Sequence, residues 1–485
     1  MEHTYDVLIV GAGAVGCAIA RELTRYQLSV VVLEKEADVA GGTSGRNSAV
    51  VHAGFNNKPG SLMAKYCVEG NEGFEALCAE LDVPYKKTGK LLVAFNGEEM
   101  KTLERMVAQG EANGCKGLKL ITREELTAMA PGVGGVGAML SPNTAIFDPF
   151  LYTVALAENA VKNGAKVHLN TKVTAIAREG EGFVVETTQG TFRSKLLVNA
   201  AGLYSDKVAE MAGVSGYHIY PCRGEYLILD KIAQQYLRLP VYPAPAAGIG
   251  GLGVHLTPTI HGNIIIGPSN EYIKETDDCA TTQEVLDKLF REAQQLMPAL
   301  QRKDIIGSYS GLRSKQAPPE EGGFRDFTIL EEPAVPGLID LIGIESPGMT
   351  ASMPIAKRVC AMVVEKLTPA RNASFDPIHK SILRFADQTP EMKARLIAED
   401  SDYGEVICRC QQVTKKEICQ AIENPLGART ISAIKYRAWP TTGRCQGGYC
   451  LTRIVEILEK EYGIAPEKIS QRGEGSELFS GRVKE

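Results

Sequence analysis

The chain has 485 residues, room for about three domains, and its 44% apolar and 23% charged content is ordinary for a globular protein. A formal net charge of −5 gives no electrostatic reason to bind nucleic acid or an anionic membrane. No apolar run reaches the ~20 residues of a membrane span, and Glu2 and Asp6 stand where a basic leader would begin, so a cytosolic protein is expected, peripheral to the inner face of a membrane only through a partner.

The first element is a buried strand, Val7 to Val10, followed by Gly11-Ala12-Gly13-Ala14-Val15-Gly16 and the start of a helix. Gly11 permits the tight turn, Gly13 admits a pyrophosphate to the backbone, and Gly16 lets helix and strand pack closely. The helix N-terminus then directs N–H groups and partial positive charge at the phosphate. A second strand, Leu28 to Leu33, ends in Glu34, placed to bind a ribose hydroxyl pair. Residues Ala40 to Gly54 are too rich in Gly, Ser and Asn for a core element, and they can bring backbone and hydroxyl donors close to a flat polar ligand.

Leu62 to Leu81 has helical periodicity, Gly89 to Ala94 reads as a strand, and Glu98 to Asn113 as an amphipathic helix. Thr122 to Glu125 is a capping-box helix start, and Phe147-Asp148-Pro149 opens a helix to about Asn163. Strands follow at Lys166–Leu169, Lys172–Ile176, Gly182–Thr187 and Phe192–Val198, the last running into Asn199-Ala200-Ala201-Gly202. A sheet-rich section holds Tyr220–Leu229, Val254–Pro258, Gly262–Pro268 and Ile305–Arg313, with a helix at Thr281–Leu296. Leu338–Ile342 is a last parallel-type strand, leading through Gly343–Thr350 into a helix from Ala351 to about Leu367.

Of twelve cysteines, Cys408, Cys410, Cys445 and Cys450 cluster near the C-terminus as C-x-C-x34-C-x4-C. Without a secretory signal, such a cluster points to metal or redox chemistry. Four thiolates at this spacing can hold a [2Fe–2S] cluster. Zinc is the alternative, although its cysteine pairs are more usually two to four residues apart.

The glycines, Glu34, the Gly41–Gly54 loop, Asn199–Gly202 and the Gly343–Thr350 turn together resemble the FAD-binding domain of the D-amino-acid oxidase superfamily, over roughly residues 4 to 367. The resemblance implies an α/β fold: a Rossmann-like FAD-binding domain interleaved with an antiparallel-sheet substrate domain. It implies FAD contacts from Gly11, Gly13, Ala14, Gly16, Glu34, Thr43, Ser44, Arg46, Asn47, Ser48, Val173, Ala200, Gly202, Gly348, Met349 and Thr350. The cysteine region resembles the bacterioferritin-associated ferredoxin-like [2Fe–2S] domain that ends the anaerobic glycerol-3-phosphate dehydrogenase catalytic subunit. The expected division is FAD domain 1–85, 147–215 and 316–367, substrate domain 86–146 and 216–315, linker 368–405, and small helical iron–sulfur domain 406–485.

Two branches of the superfamily share the pocket motifs. His52-Ala53-Gly54 with Lys58-Pro59-Gly60-Ser61, Gly89-Lys90-Leu91-Leu92-Val93, Arg223-Gly224-Glu225-Tyr226 and Gly253-Val254-His255-Leu256-Thr257 resemble L-2-hydroxyglutarate oxidases. Thr43–Asn47 and Tyr309–Arg313 resemble both those enzymes and the glycerol-phosphate family. Arg313 is the expected anion binder, because its planar fork takes a carboxylate or phosphate at two points. His52 or His255 is expected to take the hydroxyl proton, as an imidazole titrating near neutral pH, and Lys58 and Arg223 to add positive field. The expectation is a dehydrogenase for a small anionic secondary alcohol, glycerol 3-phosphate first and L-2-hydroxyglutarate second. Electrons would leave through the cluster to a second redox subunit. An amine substrate, or a scaffold subunit without a substrate, stays open.

Overall fold

The computed structural model describes residues 4–245 and 253–481; Glu2, residues 246–252 of the expected substrate domain and the last residues of the iron–sulfur domain lie outside it. Thr4–Val10 is the centre of the first sheet, flanked in parallel by Val30–Leu33 on one side and Gly190–Asn199 on the other. Lys166–His168 continues the sheet beyond Val30–Leu33, and Leu338–Ile342 lies parallel to the far half of Gly190–Asn199. The near half of that long strand pairs antiparallel with Gly182–Thr187, itself paired with Val173–Glu179. The central strand thus has neighbours on both sides reached by opposite routes, which opens a crevice at the carboxyl ends.

Helices Ala14–Leu23, Leu62–Leu81, Pro149–Lys162 and Gly348–Leu367 supply the apolar layer against this sheet. Val7, Ile9, Ile19, Leu156, Ile339 and Ile355 are fully buried in the shared core, each stabilising by roughly 1.5–3 kcal/mol relative to exposure. The helix expected from Ala351 begins at Gly348, directly behind Pro347, which stands outside the helix as its N-cap and has no N–H to leave unpaired there. Gly70 lets two of these helices touch: a Cβ there would meet the Thr350 carbonyl oxygen at 1.9 Å.

The second sheet has Tyr220–Leu229 paired with Ile305–Lys315 along its whole length, placing Cys222 opposite Arg313 and Tyr226 opposite Tyr309. Ile264–Gly267 and His255–Pro258 extend it antiparallel. One contact is parallel: Val241–Pro243 lies beside Lys90–Ala94 and thereby joins the two separated portions of this sheet. No hairpin connects those strands, so nothing forces them antiparallel.

The C-terminal unit has a short antiparallel pair, Val406–Cys408 with Val413–Thr414, and helices Lys415–Ile422, Ile431–Ala438 and Cys450–Lys460 around Ile418, Ile434 and Ile454. The segment leading to it is laid along the first domain, with Asn372 N–H donating to Arg25 O and His379 Nε2 2.9 Å from Glu158 Oε2. Buried Arg437 closes the joint. Its guanidinium meets Asp38 at 2.6 and 3.1 Å and Glu158 at 3.0 Å, while neighbouring Tyr436 stacks on Phe150 at 3.9 Å. Among the described residues no helix is long and apolar enough to cross a membrane.

Removing Arg437 strips Asp38 of its cation and leaves Glu158, largely buried, with only His379. We expect Arg437→Ala to lose about 3–5 kcal/mol in denaturant titration. Trp439 is the chain's one tryptophan and packs 3.6 Å from His261, so its emission should shift to the red as the joint loosens.

Candidate active site and cysteine centre

A continuous cavity of about 1780 Å³ runs from the glycine turn to the second sheet. Ordinary small-molecule pockets hold roughly 300–1,000 Å³, so this one has room for a dinucleotide and a substrate together. Every sequence-expected cofactor and catalytic residue borders it except Gly16. Gly16 acts by packing: a Cβ there would lie 2.0 Å from the Gly11 carbonyl oxygen. Gly11 itself holds φ at +103°, and a Cβ would collide with Ala200 O at 2.6 Å.

Gly13 caps the first helix without a side-chain hydrogen bond, and Ala14 N–H donates to Ser44 Oγ at 2.9 Å. Glu34 is buried at the end of the second strand, where Oε2 accepts from Ala12 N–H at 2.7 Å and Oε1 from Glu36 N–H at 2.9 Å. Burial pushes its carboxyl upward and the two N–H groups oppose that rise. Val173, Ala200 and Gly202 form the facing wall. The Ser–Gly loop is stitched to the second sheet: Thr43 Oγ1 donates to Leu312 O at 2.8 Å, and Tyr309 O–H to Asn47 O at 2.8 Å. Gly311 is required there, because a Cβ would lie 2.0 Å from Arg46 O. Gly348 and Met349 open the late helix into the cavity, again without a side-chain cap. An elongated crevice with two uncapped helix N-termini and a buried carboxylate fits FAD.

At the substrate end Arg313 is half-buried. It donates to Asn270 Oδ1 at 3.2 Å and Ser269 O at 3.4–3.5 Å, and no described carboxylate pairs with it. Its charge also reaches the Tyr226 hydroxyl, and the Tyr226 ring stacks on Tyr309 at 4.7 Å. Arg223 is different. Glu271 at 2.9 Å and Asp278 at 2.8 Å neutralise it, so it supplies no free positive field. Lys58 is solvent-exposed on the loop before Ser61.

The histidines depart from the expected titration near neutral pH. Burial, and secondly the nearby Lys90 charge, pushes His52 down to about 3. The same two causes hold His255 well below its ordinary value. Both imidazoles are therefore neutral. His52 is tied to the late helix, its backbone N–H donating to Thr350 Oγ1 at 3.0 Å. His255 Nδ1 lies 2.8 Å from Thr257 Oγ1, and its ring stacks on Tyr242 at 3.9 Å.

Sequence reasoning quoted Lys90 within a motif but gave it no role. It is 1% exposed and lines the cavity. Its ammonium lies 4.6 Å from the Phe55 ring centroid and 4.3 Å from that of Tyr242. It makes no ion pair or hydrogen bond with a described residue, and burial pushes it down to about 7. The signal was a lysine heading an otherwise wholly apolar strand, Lys90–Ala94, in which every residue is buried.

The four C-terminal cysteines stand as two sulfur pairs: Cys410 Sγ is 3.4 Å from Cys445 Sγ, and Cys408 is hydrogen-bonded with Cys450. The Cys450 thiol, followed by N–H groups from Gln411, Thr441 and Cys410, brings Cys408 down to about 6 despite burial. Tyr449 N–H leads the groups that lower Cys445, whereas Cys450 is raised by the bond it gives Cys408. Among the described residues no three such side chains converge as they would on one ion. Two sulfur pairs lined by N–H donors suit a binuclear cluster, which takes two ligands at each iron.

Residues 6–362 match the FAD dependent oxidoreductase (DAO) family, and the chain belongs to it. Residues 406–460 match the BFD-like [2Fe-2S] binding domain, and FAD and a [2Fe–2S] cluster are the cofactors. The chain is 37% identical to a glycerol 3-phosphate dehydrogenase of Caloramator mitchellensis over 99% of both chains. It is 32% identical to the mitochondrial L-2-hydroxyglutarate dehydrogenase of Caenorhabditis elegans, across 75% of this chain and 94% of that one. The FAD-bound L-α-glycerophosphate oxidase of Mycoplasma pneumoniae superimposes with a TM-score of 0.72 at 28% identity, spanning 78% of this chain and 98% of that one.

Two outcomes follow from this geometry. Anaerobically purified protein should carry about two iron and two sulfide per chain, and Cys445→Ser should lose both while retaining flavin absorbance; stoichiometric zinc would reject the cluster. The second concerns Lys90. The native state releases its proton near pH 7, whereas the unfolded chain holds it to the ordinary 10.5, so the unfolded state binds more protons between those values and stability rises with pH across that window. Lys90→Met removes the rise and should be more stable than wild type at neutral pH by on the order of 2 kcal/mol, the gap closing as pH climbs, as read by denaturation at several pH values.

Proposed function

We propose that the protein is an FAD-dependent dehydrogenase of a small anionic secondary alcohol, oxidising glycerol 3-phosphate to dihydroxyacetone phosphate. The observation that carries this reading is Arg313, a cavity-lining guanidinium with no described carboxylate partner and its fork tethered by Asn270 and Ser269. End-to-end similarity to a glycerol 3-phosphate dehydrogenase supports the choice of substrate.

In this reading Arg313 binds the substrate phosphate in two places and fixes the carbinol carbon against the turn that opens the late helix. Neutral His52, whose backbone is bonded to Thr350, accepts the hydroxyl proton as the C–H bond breaks. His255, held by Thr257 and Tyr242, packs behind the substrate and excludes water. FAD, held between Gly11–Gly16, Glu34 and Gly348–Thr350, supplies the two-electron acceptor. The [2Fe–2S] cluster, held by Cys408, Cys410, Cys445 and Cys450, supplies a one-electron carrier. Cys410 and Cys445 are exposed, so a second redox subunit can approach them directly.

L-2-hydroxyglutarate is the second reading, favoured by the relatives that bear that activity in their names and by the His52, Lys90 and His255 motifs they suggested. Anaerobic mixing separates the two. Glycerol 3-phosphate should bleach the flavin band and L-2-hydroxyglutarate should not; the reverse result exchanges the readings. Arg313→Ala should raise the half-saturating concentration roughly 10- to 100-fold, and normal bleaching by that variant rejects the anion assignment.

A further inference from the structure

Arg313 is not the only cation in the cavity without a counter-ion. Lys90 opens the interior strand where the two portions of the second sheet meet, and its ammonium lies within reach of the rings of Phe55 and Tyr242. The groups around it are His52, His255 and the Cys67 thiol, none of them a carboxylate. Opposite it across the sheet stands Ser141, whose hydroxyl is taken up by Thr144, and the apolar cluster of Phe55, Leu92 and Met139 adjoins it. Beside it the Tyr242 hydroxyl is buried and makes no well-formed hydrogen bond among the described residues, with Ser48 and Thr257 adjacent.

We propose that Lys90 and Tyr242 form a second anion subsite of the cavity, in which an anionic group of the substrate is the counter-ion that Lys90 lacks in the free protein. This rests on reading the cavity as the site of a small anionic alcohol. A buried ammonium is expensive, and an apolar residue of similar length would pack here at lower cost. The cation–π contacts with Phe55 and Tyr242 offset only part of that cost. What stays uncompensated is an N–H donor set and a buried hydroxyl, on two residues that both line the cavity. That is the chemistry for a carboxylate or phosphate oxygen. With Arg313 on the opposite sheet strands, the cavity offers two separate cationic positions. A substrate carrying two anionic groups would engage one at each, and the single phosphate of glycerol 3-phosphate, bound by the fork of Arg313, would meet Lys90 through the oxygen that fork leaves free.

The unusual charge balance supports the same assignment. An amine poised near neutrality gains its proton when an anion arrives, because an adjacent negative charge favours the ammonium. Lys90 is also a cause of the low basicity of His52 and His255. Neutralising it with a substrate oxygen would raise the affinity of both imidazoles for the hydroxyl proton at the moment of binding.

The test uses the flavin- and cluster-loaded protein and its Lys90→Met, Lys90→Gln and Tyr242→Phe forms. The first readout is thermal stability with added glutarate or inorganic phosphate, neither of which can be oxidised. We expect at least one anion to raise the melting temperature of wild type and to lose that effect in both lysine variants; the anion that acts identifies the headgroup the subsite prefers. The second is the half-saturating concentration for anaerobic flavin bleaching, expected to rise roughly 10- to 100-fold in the lysine variants and a few-fold in Tyr242→Phe. Wild-type anion shifts and wild-type half-saturation in both lysine variants would overturn the subsite. If no alcohol bleaches wild type while the anion shift still depends on Lys90, the substrate reading fails and the subsite stands.

Discussion

The contact between Gly11 and Gly16 is the constraint on which the rest of the structure depends. The helix after the central strand starts so close to the turn that no side chain fits between them. That proximity points the helix N-terminus along the strand end and into the crevice. The neighbouring strands then meet the same point from elsewhere in the chain: Ala200 lies under Gly11, and Glu34 reaches across to Ala12. Because parallel neighbours need long crossovers, the chain leaves and returns to this sheet several times. Each departure builds part of the second sheet, which is why the pocket residues are scattered from His52 to Arg313.

Four cations show how differently the fold treats charge. Arg437 is fully compensated by Asp38 and Glu158, and it works as a joint. Arg223 is compensated by Glu271 and Asp278 at the rim of its strand. Arg313 and Lys90 make no ion pair with a described carboxylate, and both border the cavity. The first two arrangements are what a folding chain uses to avoid an unpaired charge. The latter two are the arrangement that, on the reading proposed above, a bound anion would complete. The distinction between structural and functional cations thus comes from partners, and residue type alone does not reveal it.

This also explains what the sequence could and could not disclose. The glycine turn, the helices at Leu62–Leu81 and Pro149–Lys162, the capping box at Thr122 and the cysteine spacing are local patterns, and local physics decides them. The expected substrate strands were legible from alternation, but their partners were not. The parallel pairing of Val241–Pro243 with Lys90–Ala94 depends on two segments some 150 residues apart. Arg223 and Arg313 look alike in sequence, each on a strand within two residues of a glycine; only the pairing that brings Glu271 beside Arg223 separates them. The histidines were correctly placed in the cavity but assigned the wrong basicity, since desolvation and a lysine from another strand are tertiary effects. Lys90 was overlooked because both faces of its strand are buried, leaving no polar alternation to mark it.

The C-terminal unit belongs to the same argument. Tyr436, Trp439 and Gln446 line the cavity that starts at Gly11, so the cysteine domain supplies part of its wall. Phe150, on which Tyr436 stacks, and His261, against which Trp439 packs at a tilt, are linked through Asp148, which caps the helix of one and accepts from the ring of the other. Trp439 in turn precedes Thr441, whose N–H serves Cys408 and Cys450. A continuous set of packed groups therefore joins the cavity wall to the inner sulfur pair, while Cys410 and Cys445 face solvent. The cysteine domain and the cavity wall are thus held together by the same ion-paired joint. Loosening Arg437 would disturb the wall before it disturbed either cofactor's own ligands.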